Sequence, residues 1–131
     1  MAVEVQPPRK ARPVNLNLMT IHQPVTAVVS ILHRLSGMIL FLCIPLLLWL
    51  FGASLSSPDS FASIHTWLSK ISVKFMIWVI LSALIYHGFA GIRHFIMDFG
   101  FGESLKSGRI GACLVILFSL IFAVFLGIRL W

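Results

Sequence analysis

"YHGFAGIRHFIMDFG", residues 86–100, closes a stretch apolar enough to cross a bilayer, yet it carries His87, Arg93 and His94. Ionisable side chains are costly in a helix solvated by hydrocarbon and persist there where a partner, a cavity or a cofactor stabilises them. The rest of the chain decides the solvent. Of its 131 residues, 59% are hydrophobic and 11% are charged, and three long uncharged stretches leave no room for a separate catalytic domain. The formal net charge of +6 does not point to nucleic acid. The basic residues sit at the ends of apolar segments and form no basic stripe interleaved with exposed aromatics. The expected class is an all-α membrane protein with three transmembrane helices.

Working outward, residues 1–25 read as an extended aqueous arm, because Pro7, Pro8, Pro13 and Pro24 forbid a continuous helix. Residues 26–131 read as one anchor domain with spans at about 26–52, 70–97 and 109–131. The first span starts near Thr26, contains Pro45 at a position where a kink is expected, and ends at Gly52 and "SLSSPDS". Residues 54–69 read as a loop. The second span lies between the snorkelling stems of Lys70 and Lys74 and the end near Met97. "GFGESLKSGR" is a short turn, and the third span runs from Ile110 to Trp131, with Arg129 and Trp131 as interfacial anchors. Cys43 and Cys113 lie in apolar runs without metal-ligand or haem-attachment spacing.

Loop charges give the orientation. Arg9, Lys10 and Arg12 on the arm share a side with Arg93, Lys106 and Arg109, whereas the other side has only Lys70, Lys74 and Arg129. The positive-inside bias puts the N-terminus in the cytoplasm and the C-terminus outside. No short apolar signal core and no amphipathic transit segment is visible near Met1. That favours a bacterial inner-membrane protein, or an imported one already trimmed.

On a helical wheel His87 and His94 fall nearly in line, flanked by Ala83, Ala90 and Gly91, while Trp78, Ile85, Phe89, Ile92 and Ile96 collect on the opposite face. The bulky face suits lipid. The small residues admit a flat macrocycle or a neighbouring helix close to the backbone. In the first span Ser30, His33, Arg34 and Gly37 share a face at matching depth. Packing alone is one reading, since a lone histidine can hydrogen-bond a neighbouring helix and Arg93 can snorkel to headgroups. The full set of polar groups is expensive for packing alone. Neutral imidazole is a good iron ligand, and an electron-transfer haem takes two axial side chains on opposite faces. His87 and His94 lie about 10 Å apart on one face, so a second ligand must come from another helix or another chain.

"RPVNLNLMTIHQPVTAVVSILHRLSG" and "HGFAGIRHFIMDFG" resemble, in order and spacing, the two signatures of the cytochrome b subunit of bacterial succinate dehydrogenase. The resemblance covers the arm and the first two spans; the third span is similar only as a hydrophobic segment. It implies a three-helix anchor forming half of a two-subunit helical bundle. That anchor shares haem b with a second hydrophobic anchor subunit, and docks an iron–sulfur subunit and a flavoprotein subunit that hold the iron–sulfur clusters and FAD. It also implies roles for matching positions: His87 as axial ligand of the haem iron, His33 and Arg34 at the haem propionates, and Ser30 and Arg34 in the ubiquinone pocket. Asp98 falls within the second motif, either as an interfacial helix-end residue or in proton handling, and His22 and His65 take no role. A non-redox helical anchor or assembly protein, a fumarate reductase anchor, and a cytochrome ligating haem within one chain through His33 are the alternatives.

Overall fold

The computed structural model describes residues 22–131; the amino-terminal arm up to residue 21, with Arg9, Lys10 and Arg12, lies outside the described residues. The described chain forms α1 (Val25–Ser54), α2 (Pro58–Leu68), α3 (Ile71–Asp98) and α4 (Leu105–Leu130), with no strand among the described residues. Helices α1, α3 and α4, of 30, 28 and 26 residues, are each long and apolar enough to cross a membrane. At 1.5 Å per residue each exceeds the roughly 30 Å of a bilayer's hydrocarbon core. Their outward faces expose Phe41, Leu42, Leu48, Phe51, Leu120 and Ile128, a surface suited to lipid chains rather than water.

Two boundaries differ from expectation because of capping. Helix α4 starts at Leu105 rather than near 109, since the Ser104 Oγ accepts a hydrogen bond from the Ser107 backbone N–H at 3.2 Å. Residues 54–69, expected as a loop, fold instead as α2. Ser57 caps it by accepting from the Ser60 N–H at 3.1 Å, Pro58 takes the first helical position and Asp59 lies in the positive first turn. Ser-Pro-Asp is a helix start signal as much as a breaker. Helix α1 runs unbroken through Pro45.

The α3–α4 pair makes the most extensive interface. Helix α4 presents Gly108, Ala112, Ser119, Ala123 and Gly127 at spacings of one or two turns, and large α3 side chains fill that stripe. The Trp78 Nε1–H donates to the Ala123 carbonyl at 2.8 Å, and a Cβ on Gly127 would come within 3.2 Å of the same nitrogen. Phe89 packs on Phe118 and Phe122, with ring centroids 5.9 and 5.5 Å apart. The bulky face of the second span therefore does not all meet lipid: Trp78 and Phe89 are claimed by α4, and Ile92 and Ile96 stay exposed. The turn between α3 and α4 uses left-handed backbone at Gly100 (φ 81°) and Gly102 (φ 83°), a conformation that penalises any Cβ. At the far end the Lys74 ammonium donates to the Leu130 carbonyl at 3.2 Å.

The fully packed core is small and lies at one end. Val29 of α1, Ala90 of α3, and Ala112 and Val115 of α4 meet there, with Tyr86, Phe89 and Ile116 around them. The Tyr86 hydroxyl donates to the Val29 carbonyl at 2.8 Å, tying α3 to the first turns of α1. This end holds the start of α1, the end of α3 and the start of α4.

Candidate functional site: a histidine stack between α1 and α3

Next to that core the expected histidines come together. His33 of α1 lies between the two α3 histidines, its ring centroid 4.2 Å from that of His87 and 5.1 Å from that of His94. Seven residues separate His87 and His94, so about two helical turns of α3 pass His33. Gly37 makes the approach possible: a Cβ there would sit 2.8 Å from His87 Cε1. The small-residue face around His87 thus receives α1 of the same chain.

The hydrogen bonds fix which nitrogen of His87 carries its proton. The Ser36 hydroxyl donates to the His33 carbonyl at 2.8 Å. His87 Nδ1 lies 3.1 Å from Ser36 Oγ and 3.2 Å from that same carbonyl. A carbonyl only accepts, and the hydroxyl proton is already engaged, so Nδ1–H is the donor to both oxygens. In the neutral imidazole this tautomer places the lone pair on Nε2, which makes no hydrogen bond among the described residues. An imidazole anchored through one nitrogen and bare at the other is the form in which histidine binds a metal. Buried Ser36 was not anticipated from the sequence. Its spacing, three residues after His33 and one before Gly37 in "SILHRLSG", was the available signal.

His33 contributes an unfinished atom. Its Nε2 is buried without a hydrogen-bond partner among the described residues, where a Cβ on Gly91 would lie 3.7 Å away. A buried polar atom left in that state costs about 1–3 kcal/mol unless something outside the chain completes it. Ser30 is half-buried and Arg34 exposed, one turn apart on α1, so they share a face beside the stack rather than joining it. Among the described residues no group of His, Cys, Asp or Glu is arranged to hold a metal ion by itself. Cys43 and Cys113 are free.

Arg93 does not extend outward along the surface of α3. It is only 8% exposed and folds back against α4, with Nη2 donating to the Gly108 carbonyl at a long 3.4 Å. Gly111 leaves the space it occupies; a Cβ there would lie 3.4 Å from its Nε. Asp98 is exposed at the end of α3, and His65 stacks on Phe61 of α2 at 6.5 Å, away from the cluster.

Residues 8–126 match a protein family described as the succinate dehydrogenase/fumarate reductase transmembrane subunit. The chain is 46% identical over 121 residues to the succinate dehydrogenase cytochrome b556 subunit of Coxiella burnetii, an alignment covering 92% of this chain and 97% of that one. It is 32% identical over 120 residues to the subunit of the same name from Paracoccus denitrificans, covering 88% and 89%. The subunit of that name from Rickettsia bellii is 33% identical over 111 residues, covering 82% and 85%.

Proposed function

This chain belongs to the succinate dehydrogenase/fumarate reductase transmembrane subunit family, and from that premise we propose that it is the cytochrome b anchor of a succinate:ubiquinone oxidoreductase in a bacterial inner membrane. Its N-terminus faces the cytoplasm. It pairs with a second hydrophobic anchor subunit around a shared haem b. An iron–sulfur subunit and a flavoprotein subunit dock at the cytoplasmic end, and succinate is oxidised on the flavoprotein. The observation that carries this reading is the pinned tautomer of His87, held through Nδ1 by Ser36 Oγ and the His33 carbonyl with Nε2 bare.

These residues fit the group that the cytochrome b556 name of the relatives implies. His87 Nε2 would ligate the iron, and His33 Nε2, unpartnered among the described residues, together with Arg34 would meet the propionates. Haem b, when bound, supplies a one-electron redox centre at the depth of these residues. The chain's own part in quinone reduction falls to Ser30 and Arg34. A hydroxyl and a guanidinium both donate to a quinone carbonyl, and they stabilise the negative charge that develops there on reduction. In a setting of low dielectric such donors act more strongly than in water.

Ligation of haem within this chain, through His33 and His87, is less well supported. Their rings pack with centroids 4.2 Å apart, which leaves no gap for a macrocycle between them. The remaining alternative, a non-redox anchor, predicts no haem at all. Purification with native partners, identification of the bound subunits and a reduced-minus-oxidised spectrum test the proposal. Expected are a second anchor, iron–sulfur and flavoprotein subunits and a six-coordinate haem that this chain expressed alone does not hold. A reporter fused after Trp131 should read periplasmic and one placed in residues 102–108 cytoplasmic. Haem bound normally by the isolated chain, or the reverse topology, would overturn the two-subunit arrangement.

A further inference from the structure

Arg93 is a cation nine-tenths buried in an apolar setting. Its Nε has no hydrogen-bond partner among the described residues, and its only bond there is the 3.4 Å contact to the Gly108 carbonyl. A guanidinium has five N–H donors, and an uncompensated charge of this kind is strongly unfavourable away from water. The same side chain lines a cavity of about 390 Å³ between α3 and α4, within the usual range for a bound small molecule. At the end nearest the α3–α4 turn the lining holds its polar groups, Arg93, Ser107 and Gly108, beside Ile96, Met97 and Phe101; the other end is apolar, formed by Phe89, Leu114, Val115 and Phe118.

Three features say what such a groove holds. First, its polar end lies at the first turn of the 26-residue helix α4, where the helix dipole favours an anion. Second, Lys106 and Arg109 are exposed close by and outnumber, with Arg93, the exposed carboxylates Asp98 and Glu103 of the same segment. Third, Ile92 and Leu114 on its walls are 57% and 44% exposed, so the groove opens outward from the pair rather than toward the histidine stack. Arg93 precedes the end of α3 by five residues, about 7.5 Å along the axis, a depth that fits the glycerol and phosphate layer. We infer that this groove is a binding site for one anionic phospholipid, its phosphate on Arg93 and the start of α4, and one acyl chain along the apolar wall.

The site does not depend on haem or quinone, and its test reads lipid directly. The purified complex is reconstituted in nanodiscs of phosphatidylcholine with a minor fraction of phosphatidylglycerol, returned to detergent, and examined by native mass spectrometry. The wild-type complex should keep one phosphatidylglycerol per copy of this chain. Arg93→Gln should lower that occupancy about tenfold, while Arg93→Lys, which keeps a cation, should lower it less. Leu114→Trp, which fills the apolar end and leaves the guanidinium in place, should also expel the lipid, so the result does not rest on one buried substitution. Equal retention of phosphatidylcholine and phosphatidylglycerol, or unchanged retention in both Arg93→Gln and Leu114→Trp, would overturn the assignment. So would displacement by inorganic phosphate alone, which would make the groove a phosphate site, or a cross-link from Ile92 to a partner subunit in the wild type.

Discussion

Helix α3 is shared by two seams that were built differently. Toward α4 it meets a stripe of small residues with tryptophan and phenylalanine, and both the Trp78 nitrogen and the Lys74 ammonium find carbonyls across the gap. Toward α1 it offers Tyr86, His87 and His94, and α1 answers with His33, Ser36 and Gly37. The first seam buries large side chains and pairs its tryptophan and lysine donors, leaving Arg93 Nε open only at the end where the lipid groove lies, and Ser119 Oγ without a partner among the described residues. The second holds three imidazoles in contact, His94 stacked on His33 and His87 tilted against it, with Nε2 of His87 and the buried Nε2 of His33 both without a partner among the described residues. Without a hydrophobic force between helices in lipid, packing and hydrogen bonds decide association, so a seam that leaves donors and acceptors open is finished by something else. The contrast separates scaffold from site on one helix.

If that separation is right, the largest effect of any single change should fall on the α1 seam. His87→Ala in the assembled complex should abolish or replace axial ligation in the reduced-minus-oxidised spectrum, whereas His94→Ala should keep a six-coordinate haem. Loss with His94→Ala and retention with His87→Ala would reverse the assignment of the two histidines. Next in size, Ser30→Ala and Arg34→Ala should slow quinone reduction, with Arg34→Ala costing about 2–4 kcal/mol of transition-state stabilisation on the scale of lost oxyanion donors. Succinate oxidation with a soluble electron acceptor should persist in both; quinone kinetics unchanged in both would remove these residues from the pocket.

A smaller effect is expected where the two seams share a requirement for close approach. Gly37→Ala would put a Cβ 2.8 Å from His87 Cε1, and the ring cannot retreat without stretching its bonds to Ser36 Oγ and the His33 carbonyl. Overpacking of this kind costs about 1–3 kcal/mol and should alter the haem spectrum as well as thermal stability. A variant that loses stability with an unchanged spectrum would show that the ring position is not what Gly37 protects. The smallest effect belongs to the scaffold: Trp78→Phe removes one interhelical bond, worth about 0.6–1.7 kcal/mol in a membrane. It should lower the melting temperature slightly and leave the spectrum untouched. A spectral change there would couple seams that the structure keeps apart.

The sequence made these seams unequally legible. Hydropathy and length revealed the three crossing helices, and the seven-residue interval placed His87 and His94 on one face. That face could not say whether a macrocycle or a helix would lie against it, because the wheel fixes directions within one helix and not the rotation of its neighbour. His33 entering between the two α3 rings, and Ser36 reaching His87, depend on that rotation. The direction of Arg93 was hidden for a related reason: a long side chain near a helix end can turn outward along the surface or inward over a glycine. Gly111 decides it only once α4 is alongside. The α4 stripe and the Ser57-Pro58-Asp59 start of α2 were readable from spacing and capping rules, but hydrophobicity and the proline drew attention elsewhere.

Ser36 has a consequence that is electronic rather than geometric. By sharing the Nδ1 proton of His87 between a hydroxyl and a carbonyl, it increases electron density on the imidazole, making Nε2 the more basic and more strongly donating atom. A stronger donor favours the ferric over the ferrous state of a ligated iron. Ser36→Ala should therefore raise the midpoint potential while leaving the ligand in place, measurable by potentiometric titration, and an unchanged potential would show the hydroxyl to be only a spacer. A serine on α1 would then help set the voltage at which an iron held by a histidine on α3 gives up or accepts an electron.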